Sequence, residues 1–331
     1  MTIEAGSTLT TNADRRAYLQ WLFGMAVVCA SPLSARAASD DAANAWAVAT
    51  SNFHGIYDDD TSRLKFRDFL RNVYSIYPSD RFHALIGDVC RKQMTDKDIY
   101  LSCQARLKDI TPIGNKVRNA LPALLSQTEV VGKQIQTMLE RHGPIDGYME
   151  MGTKGGYIGY ARTELDLRGD LVLLSDDAPS YALGDVIERR VVRKLGRFVD
   201  LNAYAPISSK QIASGSLDVV CNPIGFHHIP TDRRADFIQS LRQTLRPNGT
   251  LLVRDHDAHS VAMNQMVALA HDVFNMGLTK SWQHNQQEIR HFISLKELVD
   301  DLRRFGFKPA GQALYQAGDP TLNAMMRFEV A

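Results

Sequence analysis

The chain has 331 residues, of which 44% are hydrophobic and 23% are charged. This composition is typical of a soluble protein with room for one large domain and a smaller companion. The 38 lysines and arginines nearly balance the 37 aspartates and glutamates, so no overall charge draws the chain to nucleic acid or to an anionic membrane. The balance therefore favours a small molecule or a protein as substrate.

Residues 1–37 have the pattern of an export signal. Arg15 and Arg16 precede an apolar stretch, Leu19–Ala30, and Ala35–Ala37 then offers small residues where a signal peptidase reads. The stretch is shorter than the ~20 apolar residues of a membrane-spanning helix, which argues against a stable anchor. The order Asp14–Leu19 resembles a twin-arginine signal, although a Sec signal or a helix with two chance arginines stays open. We expect a periplasmic or secreted protein, or a cytoplasmic one if the segment is retained.

Four cysteines bear on the redox state of the protein. Cys29 lies in the predicted signal, which leaves Cys90, Cys103 and Cys221. An odd number argues against a disulfide framework. A bridge between Cys90 and Cys103 is conceivable in an oxidising compartment, but three buried thiols are the more common arrangement.

Residues 38–142 are predicted to form a helical cap segment. Apolar residues recur at helical spacing over residues 64–141. Breaks at Pro78, Pro112–Gly114 and Gly143–Pro144 divide this stretch into about four helices.

From residue 143 onward, short apolar strands alternate with amphipathic helices, the pattern that gives a parallel sheet covered on both faces. The predicted strands are Gly147–Met151, Leu171–Ser175, Arg197–Leu201, Leu217–Asn222 and Thr250–Arg254, with two more near Ala310–Gln316 and Asn323–Val330. The clearest helices are Arg233–Leu245, Val261–Gly277 and Leu295–Phe305. Residues 143–331 are therefore predicted to form one α/β domain.

Three motifs follow one another in this domain. They are a glycine-rich turn after the first strand, an acid-led fourth strand and a proline-glycine turn before the fifth, at Tyr148–Tyr157, Ser216–Asn222 and Leu245–Val253. In order and spacing they resemble class I S-adenosylmethionine-dependent methyltransferases. The resemblance covers residues 147–331 and implies a Rossmann-like, doubly wound, seven-stranded sheet with an antiparallel last strand. It also implies S-adenosylmethionine as the cofactor and a small molecule as the substrate.

The glycine-rich turn is the first candidate cofactor site. Glycines let the backbone approach a ligand closely, and the following helix offers unpaired amide donors. By the resemblance, Glu150 lies near the amino group of the cofactor, where a carboxylate accepts charge-assisted hydrogen bonds. Lys154 stands where the family carries another glycine, so its side chain either turns to solvent or crowds the cofactor. A tight turn that binds nothing is the alternative. The other candidate residues of this turn are Gly152, Thr153, Gly155 and Gly156.

The ends of the next strands supply the remaining candidate cofactor residues. By the resemblance, an acid after the second strand accepts both ribose hydroxyls, and we prefer Asp176 to Asp177 for this role. Asp200 is expected to bond the adenine amino group, and Leu201 to contribute a backbone amide. Asn222 ends the fourth strand at the carboxyl edge, where open α/β sheets bind ligands. The alternative is that these residues belong to ordinary turns that bind no cofactor.

Two loops at the same edge carry candidate groups for chemistry, Phe226–His228 and Arg254–Asp257. Methyl transfer needs an aligned nucleophile in a dry pocket, and many acceptors need a base as well. Histidine acts as a base near neutral pH, and an aspartate can orient it. The candidate catalytic residues are therefore His228, His256 and Asp255. The segments predicted to line the substrate pocket are His271–Asn275 and Glu288–Phe292.

A metal site built from His227, His228, His256, Asp257, His271 and Asp272 is conceivable, but these residues show no tight ligand spacing, so no metal site is predicted.

Two functions remain open. The first is an active methyltransferase whose cap helices close the pocket against water. The second is an exported binding module that keeps the fold without the reaction, which Lys154 and the export signal favour, since the cofactor is made in the cytoplasm. A nicotinamide-dependent oxidoreductase is disfavoured, because Gly152–Gly155 lacks the second glycine of GxGxxG. The methyltransferase is the prediction.

Overall fold

A computed structural model of the chain describes residues 51–112, 114, 119–139, 144–223 and 225–331. The export signal and its twin-arginine route fall outside these ranges and stay predictions. Within them, every helix is too short or too polar to cross a bilayer. Cys90, Cys103 and Cys221 are free and buried, so the conceivable Cys90–Cys103 bridge is not formed.

Helices fill the described part of the N-terminal segment, and five of them precede the first strand where about four are predicted. A π-helical turn, Leu70–Tyr74, directly follows the second helix. The five helices are α1 (Asn52–Tyr57), α2 (Asp60–Phe69), α3 (Ser79–Cys90), α4 (Asp96–Ile110) and α5 (Leu121–Leu139).

Among the residues described from 144 onward, eight strands form one sheet, with order β3-β2-β1-β4-β5-β8-β6 and with β7 paired to β8. They are β1 (Ile145–Met151), β2 (Leu167–Ser175), β3 (Arg197–Asp200), β4 (Leu217–Asn222), β5 (Leu245–His256), β6 (Phe307–Pro309), β7 (Leu314–Tyr315) and β8 (Asn323–Val330). Strands β1 to β5 are parallel, and β8 runs antiparallel to β5, β6 and β7. The predicted Rossmann-like sheet with an antiparallel last strand is confirmed. Strand β7 lies within the predicted Ala310–Gln316, and the three-residue β6 is the addition.

Six further helices connect the strands, and side-chain caps explain where several of them begin. The hydroxyl of Ser260 accepts a hydrogen bond from the Met263 N–H at the start of the ninth helix, and Ser294 and Glu297 form a capping box at the start of the eleventh. The helices are α6 (Gly156–Ala161), α7 (Leu183–Glu188), α8 (Thr231–Thr244), α9 (Val261–Gly277), α10 (Trp282–Gln287) and α11 (Leu295–Arg304).

The helical segment shares its core with the α/β domain. Phe53, Phe66 and Phe82, all fully buried, belong to the same apolar cluster as Leu269 and Val273 of α9. Two more clusters cover the two faces of the sheet, one beneath α8 and α11 and the other beneath α5 and α6. The N-terminal helices are therefore packed against α9, beside the carboxyl ends of the strands.

The strand order places a crevice between β1 and β4. The chain runs from β1 outward to β3 and then returns to β4 on the other side of β1. In open α/β sheets, ligands bind above the carboxyl ends of the strands at this reversal. The turn after β1 and the ends of β2, β4 and β5 therefore surround one crevice.

Candidate functional site

The turn after β1 adopts backbone angles that favour glycine. Gly152 and Gly155 have φ values of 72° and 96°, in the left-handed region where other residues are strained. Gly156 begins α6, and a β-carbon on it would lie 3.0 Å from Cγ of Glu188. The turn is thus tight at all three predicted glycines.

Glu150 holds this turn in shape. Its side chain is fully buried, and its carboxylate accepts hydrogen bonds from the Ile158 N–H at 2.5 Å, the Tyr157 N–H at 3.3 Å and the Thr153 hydroxyl. Burial raises the pKa of Glu150 to about 7, although these hydrogen bonds oppose the shift. The Thr153 oxygen in turn accepts from the Gly155 N–H at 3.1 Å. Both side chains therefore support the loop from within.

Lys154 turns away from the turn. Its Nζ lies 3.5 Å from Oδ1 of Asp185 on α7, its side chain is about one-third exposed, and it is not part of the cavity lining. The group beside the turn is instead Glu188, which packs on Gly156, accepts a hydrogen bond from the Lys154 N–H and lines the cavity. Burial, with the charges of Glu150 and Asp185, raises the pKa of Glu188 to about 8. Glu188 has no sequence signal, since it lies in a connection without a motif.

The raised pKa of Glu188 predicts a pH-dependent stability. The folded carboxyl holds its proton more tightly than the same carboxyl in the unfolded chain, where the pKa of a glutamate is about 4.5. Its contribution is therefore complete below about pH 4.5 and is lost as the pH rises through about 8. At about 1.4 kcal/mol per pKa unit, the loss is a few kcal/mol.

We expect the unfolding temperature of Glu188→Gln, measured calorimetrically from pH 5 to about 9, to fall less than that of the wild type. The exposed Glu164→Gln is the matched control and should follow the wild type. Parallel curves for all three proteins would show that Glu188 does not titrate in this range.

The strand ends predicted to hold the nucleoside do meet. Ser175 pairs with Asp200 across β2 and β3, so Asp176 lies beside Asp200. Burial raises the pKa of Asp176 to about 6, and the charges of Asp177 and Asp200 add to the shift. Asp176 is half-buried, whereas Asp177 is exposed. Of the two neighbours, Asp176 is the one that faces the acid on β3.

Leu201 and Asn222 continue this edge of the sheet. Leu201 is 2% exposed, and its N–H donates to the Ser175 carbonyl at 3.1 Å. Asn222 ends β4 at 2% exposure, and its Oδ1 accepts no hydrogen bond from the residues that the structure describes. A buried amide oxygen without a partner costs about 1–3 kcal/mol unless a ligand supplies a donor.

A cavity lies between the helical segment and the carboxyl ends of β4 and β5. One wall is apolar and comes from α2, the π-helical turn, α5 and α9, with Phe69, Val73, Leu124, Val131 and Phe274. The other wall is polar and holds His227, His228, Arg254, Asp255, His256 and His271. Gly156 and Glu188 connect this cavity to the glycine turn.

The polar wall pairs Asp255 with His227. Oδ1 of Asp255 lies 2.6 Å from Nδ1 of His227, and Oδ2 accepts the His227 N–H at 2.9 Å. Burial alone would raise the pKa of Asp255, but the His227 imidazole and the His256 N–H hold it below its usual range. A carboxylate on Nδ1 fixes the tautomer that leaves a lone pair on Nε2. This Nε2 is buried and makes no hydrogen bond with any described residue.

The two histidines predicted to be catalytic, His228 and His256, do not bond Asp255 through their rings. Nδ1 of His228 lies 2.7 Å from the Ile289 carbonyl, and Nδ1 of His256 lies 2.9 Å from the Thr321 carbonyl. Burial, with the neighbouring His227, lowers the pKa of each to about 4, so both are neutral at pH 7. Sequence reasoning missed His227, because two adjacent histidines give no sign of which one faces Asp255.

Behind this wall lies a buried ionic network. Arg290 donates to Asp272 at 2.7 Å and forms an ion pair with Glu288 at 2.8 Å. Asn275 donates to Glu288 at 2.7 Å, and Asn285 donates to Asp272 at 2.7 Å. Of the segment His271–Asn275, which is predicted to line the pocket, His271 and Phe274 do so, while Asp272 and Asn275 support the wall from behind. The residues of the second predicted segment, Glu288–Phe292, are not part of the lining.

Neither a protein-family model nor a curated protein sequence matches the chain. Solved structures of S-adenosylmethionine-dependent methyltransferases are similar to it, at low identity. The carbon methyltransferase CurJ is 16% identical, with a TM-score of 0.44, over 84% of this chain and 69% of that one.

Two further neighbours are small-molecule methyltransferases. The 1,6-didemethyltoxoflavin-N1-methyltransferase of Burkholderia thailandensis, solved with S-adenosylhomocysteine, is 14% identical, with a TM-score of 0.41, over 72% of this chain and 92% of that one. The mitomycin 7-O-methyltransferase MmcR is 14% identical, with a TM-score of 0.42, over 76% of this chain and 68% of that one. These values transfer neither an acceptor nor a site residue to this chain.

Proposed function

We propose that the chain is an S-adenosylmethionine-dependent methyltransferase that acts on a small, largely apolar acceptor. The observation that carries the proposal is the crevice at the reversal of strand order. There a glycine turn, two adjacent carboxylates and a buried amide oxygen lie at the strand ends, and Gly156 and Glu188 beside the turn line a cavity with a polar wall.

The residues present fit this cofactor. Asp176 and Asp200 would accept hydrogen bonds from the ribose hydroxyls and the adenine amino group, and Oδ1 of Asn222 supplies a further acceptor. The left-handed backbone angles of Gly152 and Gly155 would let the turn curve around the methionine part. Lys154 leaves this space clear by pairing with Asp185.

The cavity would hold the acceptor. When bound, S-adenosylmethionine supplies an electrophilic methyl group on a sulfonium. Phe69, Val73 and Phe274 exclude water from the acceptor and provide the apolar contacts that fix its position. On the opposite wall, Asp255 holds His227 so that the Nε2 lone pair faces the polar group of the acceptor. The residues of this chain therefore orient the acceptor and polarise its reacting group.

Calorimetry with S-adenosylmethionine tests the proposal. We expect the wild type to bind it and Asp176→Ala to bind it about 10–100-fold more weakly, since a hydrogen bond to a charged group contributes about 1.5–3 kcal/mol. Asp177→Ala is the matched control, because this neighbour is exposed, and it should keep wild-type affinity. An equal loss in both variants would contradict the assignment of Asp176, and no binding by the wild type would contradict the proposed function.

A further inference from the structure

Three histidines converge on the polar wall of the cavity. His227 and His228 lie on the turn after β4, and His271 lies on α9, yet one ring nitrogen from each is within 4.8 Å of the others. Their ring centroids are 4.2 Å apart for His227–His228, 5.0 Å for His227–His271 and 5.6 Å for His228–His271. A role in polarising the acceptor needs a single imidazole, so it does not explain why three converge.

The outer ring nitrogens of these histidines are already engaged. Nδ1 of His227 bonds the Asp255 carboxylate, Nδ1 of His228 bonds the Ile289 carbonyl, and Nδ1 of His271 lies 3.6 Å from Oε1 of Glu288. Metal-ligating histidines almost always donate one ring N–H to a carboxylate or a carbonyl, which orients the other nitrogen toward the ion. This arrangement is present at His227 and His228, and at His271 a carboxylate lies at ion-pair distance from the ring.

The inner nitrogen of His227 lacks a partner. Its Nε2 is buried and bonds to none of the described residues, and the residue is 4% exposed. Leaving such an atom unsatisfied costs about 1–3 kcal/mol, which a ligand at this point would recover.

The charges around the three rings suit a cation. Asp255 bonds His227, Glu288 faces both His228 and His271, and Arg290 is shared between Glu288 and Asp272. The carboxylates of Asp255, Asp272 and Glu288 outnumber the guanidiniums of Arg290 and of Arg254 on the same wall by one, which leaves a small negative excess. A buried excess of negative charge favours a divalent ion.

We propose that His227, His228 and His271 bind a divalent transition-metal ion, with Zn²⁺ as the best match. Imidazole ligands select zinc and its first-row neighbours over Mg²⁺ and Ca²⁺, which prefer oxygen. Three protein ligands leave a further coordination position, which here faces the cavity. An acceptor with a hydroxyl or carboxylate oxygen can occupy it, and this role in methyl transfer rests on the proposed function.

Cobalt titration tests the ion site without any cofactor. The full chain, purified without a polyhistidine tag and stripped with a chelator, is titrated with Co²⁺ while visible ligand-field absorption is recorded. We expect one Co²⁺ per chain, displaced by Zn²⁺. His227→Asn keeps a hydrogen-bond donor near Asp255 but removes the Nε2 ligand, so it should abolish the Co²⁺ absorption bands. His271→Asn should abolish them as well. Asp255→Asn should weaken binding about 10–100-fold.

His259→Asn is the matched control, because its ring is half-exposed and lies outside the cluster. It should keep wild-type cobalt binding, and circular dichroism should show all variants folded. Absence of stoichiometric binding by the wild type, or equal binding by the folded His227 and His271 variants, would overturn the ion site. S-adenosylmethionine calorimetry on the same metal-free samples reports the proposed function separately, so either proposal can fail while the other stands.

Discussion

Asp255→Asn is expected to lower the rate of methyl transfer by about 10²–10⁴-fold. Both carboxylate oxygens accept hydrogen bonds, from Nδ1 and the N–H of His227 and from the His256 N–H. A carboxamide cannot satisfy all of these contacts, because its NH₂ group must face a donor. The imidazole then changes tautomer, and the cavity meets an N–H in place of the Nε2 lone pair. The lone pair is required whether Nε2 polarises the acceptor directly or through an ion.

The rate is measured as transfer of an isotopically labelled methyl group to a panel of small phenols, carboxylic acids and amines. Asp257→Asn is the control from the same loop, since its carboxylate bonds Leu295 and Tyr315 outside the cavity. Nitrogen NMR of the His227 ring provides a readout that a loss of folding would not imitate. Unchanged tautomer and unchanged rate in folded Asp255→Asn would contradict the assigned role.

Arg290→Met is expected to lower the free energy of unfolding by about 3–5 kcal/mol. The guanidinium is 14% exposed and bonds Asp272 at 2.7 Å and Glu288 at 2.8 Å. Methionine fills a similar volume, but it leaves two carboxylates in the interior without their cation. Removing one partner of a buried ion pair is costly because the remaining charge stays desolvated.

Urea unfolding of the two proteins measures this difference. Arg304→Met is the matched control, because its side chain is 74% exposed beside Asp301 and should change the free energy of unfolding by less than about 0.5 kcal/mol. Equal stabilities of the Arg290 and Arg304 variants would show that the network behind the histidines is not structurally required.

The sheet and its helices could be read from the sequence with few errors. The helix Val261–Gly277 is predicted correctly at both ends, because the capping Ser260 precedes a long amphipathic run, and Leu217–Asn222 is a strand as predicted. Strand β5 begins at Leu245, five residues before the predicted start of Thr250. There the register shifts from the pair Leu217–Leu245 to the pair Val219–Thr250, so the proline-glycine turn lies within the strand as an irregularity. From sequence alone, an irregularity within a strand cannot be distinguished from a turn that precedes the strand.

The candidate site was only partly predictable. The edge positions Asp176 and Asp200 meet as expected, because the carboxyl ends of neighbouring parallel strands are adjacent. The partner of Asp255 was not predictable, since it depends on the turn after Gly225, which has a φ of 87° and sets where each histidine points. The three histidines belong to the wider set that is conceivable as a metal site, but the sequence could not select them, because His271 is more than forty residues from His228 and is brought near by the packing of α9.

Mass spectrometry of the nucleoside retained by the purified protein tests the central claim most directly. We expect the purified wild type to retain S-adenosylmethionine or S-adenosylhomocysteine, and Asp176→Ala to retain much less of either compound. A wild-type protein that carries neither compound, even after incubation with excess S-adenosylmethionine and rapid desalting, would contradict this claim.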